Sequence, residues 1–131
     1  MRLSEKNSSP HACGLHKMYR FTEPVLLLLL RQKGQAYGYE LAQEVNEHTL
    51  TGSNIERGAV YRTLRTLEAN GHVLSDWDVS GSGPARRHYR LTARGEEHLQ
   101  EWATVVESLA ESMQGFYQEA RTYAPSCQDK T

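Results

Sequence analysis

The feature that most constrains this chain is a stripe near its C-terminal end. Leu99, Trp102, Val106, Leu109, Met113, Phe116, Ala120 and Tyr123 follow one another at spacings of 3, 4, 3, 4, 3, 4 and 3 residues. That is a heptad seam, the pattern of a helix that packs one face against another helix. Thr92 is placed to cap its start, and the seam predicts one helix from about Ala93 to near Tyr123, ended by Pro125. Gly115 is a weak point inside it, costing ~1 kcal/mol relative to alanine. A lone helix with this stripe exposes more apolar surface than monomers usually carry. The expectation is a homodimer, the commonest symmetric assembly, with Leu99, Trp102, Val106, Leu109, Met113 and Phe116 at the contact. The alternative is that the stripe folds back on its own domain.

The chain has 131 residues, 38% hydrophobic and 24% charged, which suits one ordinary globular domain rather than a disordered chain. Only two cysteines occur, Cys13 and Cys127, too few for a disulfide framework and suited to a reducing, cytoplasmic setting. The polar start holds no apolar signal region, and the longest apolar run, Val25 to Leu30, is six residues. A membrane span needs ~20. Secreted mini-protein and membrane protein are thereby excluded as readings.

Four segments are expected: a flexible arm over residues 1–20, a domain over 21–92, the long helix over 93–124 and a flexible tail over 125–131. Within the domain, Thr22 is a candidate N-cap for a buried helix running to Gly34. Tyr37-Gly38-Tyr39-Glu40-Leu41 opens a second helix. Ser53 or Asn54 is placed to cap a third, from about Ile55 to Asn70, with Val60, Leu64 and Leu67 on one face. After Gly71 the period changes to two. His72 to Val79 and Arg86 to Leu91 read as strands around the turn Ser80-Gly81-Ser82-Gly83-Pro84. Trp77, in the first strand, reads as a packing residue.

Three helices followed by a hairpin make a mainly α, winged helix-turn-helix plan, with the hairpin as the wing. Charge points the same way. Residues 54–94 carry seven arginines against four acids, whereas residues 95–131 carry two basic residues against seven acids. Arg57, Tyr61 and Arg65 recur every four residues on the third helix, with Arg62 beside them. Arginine binds phosphate and guanine bidentately, and tyrosine reaches phosphate. The helix start near Ser53 and Asn54 adds free backbone N–H groups for a phosphate. Arg86, Arg87 and His88 follow the wing turn and suit the backbone or the minor groove. Double-stranded DNA is the partner that this pattern points to.

Four blocks then resemble one family: Glu23 to Leu30, Tyr37 to Leu41, Gly58 to Gly71, and Gly83 to Gly95. Together they resemble the PadR family of transcriptional regulators over about residues 21–123. The resemblance implies a homodimeric winged-helix DNA-binding protein, usually a repressor, and a dimer with two recognition helices about one DNA turn, ~34 Å, apart predicts a palindromic operator. The single C-terminal helix resembles the shorter subfamily, in which that helix makes the dimer. By position, DNA contacts fall on Tyr39, the Ser53–Asn54 loop, Arg57, Tyr61, Arg62, Arg65 and the wing arginines. The resemblance also implies that a small aromatic effector can bind, and Trp102 lies where such a pocket would form, although it serves equally as seam core.

His11, Cys13 and His16 are the one metal-like cluster, three ligands where a closed zinc site needs four. A metal- or redox-gated sensor built on them is one alternative reading. A dimeric protein-interaction adaptor on the same fold is another. No cofactor is indicated and no metal site is assigned. Enzyme chemistry is not expected, because Gly81 and Gly83 lie in a hairpin rather than at a helix start, so they form no dinucleotide motif.

Overall fold

In a computed structural model of the chain, the described residues are 21–50, 52, 54–123 and 125. The apolar run Val25 to Leu30 becomes the centre of α1 (Thr22–Lys33), where every residue but Leu28 is buried. A helix apolar on all sides has to be covered on several faces. Gly34 ends it at φ 85°, the left-handed conformation that glycine adopts without strain, and its N–H donates to the Leu30 carbonyl at 2.9 Å. Thr22 is not the cap expected of it. It is the first helical residue and is buried, and Phe21 takes the cap position without a side-chain bond.

A two-residue strand, β1 (Ala36–Tyr37), leads straight into α2 (Gly38–Glu44). Tyr37 is at once the last strand residue and the N-cap of α2, and its N–H donates to the Glu40 carboxylate at 2.9 Å. A short 3-10 turn, Val45–Glu47, follows. The third helix, α3 (Arg57–Ala69), begins later than the sequence suggests, with Glu56 as its cap. Asn54 is therefore not its cap, and Ser53 lies outside the described residues. Asn46 holds the preceding backbone out of the helix: its Oδ1 accepts the Ile55 N–H at 2.6 Å and its Nδ2 donates to the Ile55 carbonyl. Val60, Leu64 and Leu67 of α3 are fully buried with Leu26, Leu27, Leu30, Leu41, Val45 and Val73. Each such leucine or valine contributes roughly 1.5–3 kcal/mol relative to an exposed one.

The hairpin consists of β2 (Val73–Asp78) and β3 (Arg86–Leu91), antiparallel, with Trp77 opposite Arg87 and Asp78 opposite Arg86. β1 pairs with the other edge of β3, Tyr37 opposite His88, so the sheet order is β1-β3-β2. Thr92 then caps α4 (Ala93–Thr122), as expected: its Oγ1 accepts the Gly95 N–H at 3.0 Å and donates to the Gly71 carbonyl at 2.7 Å. The start of α4 lies so close to the chain after α3 that a Cβ on Gly95 would fall 2.0 Å from the His72 carbonyl oxygen. Around this junction the His72 and His98 rings stack at 4.0 Å, and His98 Nε2 lies 2.8 Å from a Glu23 oxygen.

The chain divides into two compact units, one ending at Leu99 and the other beginning at Gln100. The described residues of the second are the remainder of α4 with Tyr123 and Pro125. Among them only Trp102 and Val106 are half-buried, and the rest are exposed. Among the described residues no helix is long and apolar enough to cross a membrane.

Candidate nucleic-acid interface

The two faces of α3 separate cleanly. With Val60, Leu64 and Leu67 turned into the core, Arg57, Arg62 and Arg65 are left exposed and Tyr61 half-buried. Among the described residues none of these three arginines is in an ion pair, so their guanidinium groups are available to a ligand. Tyr61 is seated by Gly38, where a Cβ would stand 2.7 Å from the tyrosine ring. Only a glycine at the start of α2 lets that ring approach so closely.

Beside α3 the wing presents a second cationic edge. Arg86 lies over the rings of Tyr37 and Tyr39, at 5.7 and 5.6 Å, and donates to the Tyr39 hydroxyl at 3.3 Å. The two tyrosines are themselves stacked, with centroids 5.5 Å apart. Arg87 lies 5.2 Å over the indole of Trp77, and its Nε donates to the Ser75 hydroxyl at 3.0 Å. Glu68 of α3 is 3.8 Å from the same guanidinium. Such cation–π and hydrogen-bonded contacts fix long side chains that would otherwise be mobile.

The base of the wing is tied to β1. The Tyr37 hydroxyl donates to Asp78, which also accepts from the Ser80 hydroxyl and the Ser80 N–H. The Ser80 hydroxyl, then Tyr37 and the Ser80 N–H, hold the Asp78 carboxyl well below the usual carboxylate range. The same bond to Asp78 raises the pKa of Tyr37 above its ordinary value. Burial raises that of Tyr89, which lies inside the sheet between wing and α3.

Tyr39, Arg57, Tyr61, Arg62, Arg65, Arg86 and Arg87 therefore lie on α3, on the adjoining start of α2 and on the wing. Tyr39, Tyr61, Arg65, Arg86 and Arg87 line a single cleft of about 370 Å³ with Gly38, Trp77 and Tyr89. His88 departs from that set: it is half-buried and edge-on to Tyr37 at 5.9 Å, so it braces the sheet. Asn54 is exposed in the loop before α3, and Ser53 lies outside the described residues. Trp77 is not the packing residue that the strand pattern suggests. It is 61% exposed, near the tip end of β2. Tyr37 and Asp78 were also not legible as supports, since their link depends on a strand of two residues. His11, Cys13 and His16 lie outside the described residues. Among those described, no group of three or more His, Cys, Asp or Glu is arranged to hold a metal ion.

A buried-core helix beside a three-stranded sheet with a protruding hairpin defines a winged helix-turn-helix unit. The model of the PadR-like family of transcriptional regulators matches residues 25–101, and the chain belongs to that family. It is 37% identical over 81 residues to the transcriptional regulator Rv3488 of Mycobacterium tuberculosis, covering 62% of this chain and 72% of that one. An uncharacterised protein X of Lysinibacillus sphaericus is 29% identical over 97 residues, 71% of this chain and 88% of the relative. Among solved structures, a PadR family transcriptional regulator from Eggerthella lenta superposes with a TM-score of 0.65 at 29% identity, over 81% of this chain and 90% of that one. The proteins of this family are transcriptional regulators.

Proposed function

We propose that the protein is a DNA-binding repressor that acts as a homodimer on a palindromic operator. In this reading α3 enters the major groove, an opening about 12 Å wide that admits one helix. Arg57, Arg62 and Arg65 meet bases and phosphates there, Tyr39 and Tyr61 reach the backbone, and Arg86 and Arg87 of the wing lie on the backbone or in the minor groove. The observation that carries the reading is the division of α3: one face wholly in the core, the other a row of arginines in no ion pair among the described residues, beside a cationic wing.

The dimer rests on a separate observation. Leu109 is 36% exposed, Met113 52%, Phe116 73% and Tyr123 82%, an apolar stripe along the second unit that a second copy of the same helix would cover. Leu99, Trp102 and Val106 continue that stripe toward the first unit.

The test is fluorescence anisotropy with duplex DNA from upstream of the protein's own gene and a scrambled duplex of equal composition, across a salt series. Preference for the native duplex by ~10³ or more, with affinity falling steeply in salt, supports the proposal. Weak and equal binding to both duplexes favours the adaptor reading, in which the same fold serves a protein partner.

A further inference from the structure

The cleft between α3 and the wing contains more aromatic surface than phosphate binding alone requires. Its lining joins Arg65, Arg86 and Arg87 to Tyr39, Tyr61 and Trp77, and includes no carboxylate. Trp77 stands out, because it is 61% exposed and Arg87 packs over one part of its indole at 5.2 Å. Arg87 is itself held by Ser75 and Glu68. An indole fixed in this way, among cations and open to solvent, is placed to meet an anionic polymer that also has apolar surface.

Groove geometry says which part of DNA that is. The major and minor grooves of a duplex are separated by one sugar–phosphate strand. A protein with its helix in one groove and its wing in the next has to take that strand between them. From this cleft we infer that Trp77 is a DNA-contacting residue: its indole packs against a deoxyribose of the intervening strand, while Arg65, Arg86 and Arg87 take the flanking phosphates. The inference rests on the DNA-binding reading above and deepens it. It assigns Trp77 to affinity that is independent of sequence, since every nucleotide presents the same sugar, and leaves discrimination to the side chains that reach base edges. The indole carries no charge, so it adds nothing to counterion release.

The experiment compares wild-type protein, Trp77→Phe and Trp77→Ala on the native and scrambled duplexes across a salt series. Trp77→Ala is expected to weaken both complexes alike, by about tenfold, because the sugar no longer has an apolar surface to pack on. The ratio between duplexes and the salt slope stay as in wild type, and Trp77→Phe retains most of the affinity. A second measurement needs no truncated side chain. Fluorotryptophan-labelled wild-type protein gives one fluorine NMR signal for each of its two tryptophans, Trp77 and Trp102. The Trp77 signal, assigned by its disappearance in Trp77→Phe, is expected to shift when either duplex is added. Affinity within twofold of wild type for Trp77→Ala, with an unmoved Trp77 signal, overturns the inference. Weakening on the native duplex alone also overturns it and makes Trp77 a reader of bases. Wild-type protein that binds neither duplex overturns the underlying reading as well, which separates the two failures.

Discussion

The two units of this chain treat apolar side chains in opposite ways. In the first, Leu26, Leu27, Leu30, Leu41, Leu64 and Leu67 have no exposed surface, and its exposed arginines cluster on α3 and the wing. In the second, Leu109, Met113 and Phe116 are exposed along one stripe of α4, with Tyr123 exposed just past its end, in a stretch whose charge is mostly acidic. A single copy buries a full apolar core in the first unit, leaving separate side chains such as Leu28 and Trp77 at its surface, and builds no such core in the second. Under the proposed function that difference gives each unit its own partner: a polyanion for the first, another apolar helix for the second.

That contrast can be broken from either side. Leu64→Ala is expected to have the largest effect, destabilising the first unit by about 3–4 kcal/mol through a cavity, as thermal melts would show. Gly95→Ala follows at roughly 3 kcal/mol, because its new methyl meets the His72 carbonyl backbone, which cannot yield as a flexible side chain would. In the second unit Leu109→Asp places a charge in the seam. Sedimentation at low micromolar concentration is expected to show monomers whose first unit retains its wild-type melt. A dimer that persists would locate the contact elsewhere.

Smaller effects sharpen the first half of the comparison. Arg65→Ala is expected to weaken operator binding by ~1–3 kcal/mol without changing the melt, and an unchanged affinity removes Arg65 from the interface. The mildest is a pH effect at the wing. The folded pKa of Asp78 is depressed, so its stabilising bonds to Ser80 and Tyr37 are fully present above the ordinary carboxylate pKa and are lost only as pH falls through the lower folded value. Amide NMR signals of the wing turn are therefore expected to stay unchanged from pH ~7 down to pH ~4. Asp78→Asn, with Ser80 and Tyr37 bonded more weakly, is expected to broaden them at every pH.

Much of this was legible in the residues because it rests on period. Val60, Leu64 and Leu67 mark the core face of α3, Gly34 and Thr92 mark helix ends, and alternation marks the hairpin. What escaped depends on contacts between distant segments. β1 is too short to show a period and exists because β3 offers it an edge. The start of α3 is set by Asn46, nine residues before the Ile55 backbone that it binds. Trp77 alternates as an inward residue should, yet burial along its face of β2 fades from Val73 through Ser75 to an exposed Trp77. The arginine set on α3 and the wing could be read from spacing, whereas the supports of Arg86 and Arg87 could not: Tyr37, Asp78, Ser75 and Glu68 meet only once the sheet is formed.

The most direct test of the account is selection of bound duplexes from a random pool with the full-length protein. The account predicts an enriched inverted repeat whose half-sites are centred about one helical turn, ~34 Å, apart, because two copies of α3 are joined through α4. Enrichment of a single half-site without its inverted mate would contradict the dimer, and a pool left unenriched would contradict sequence reading by α3.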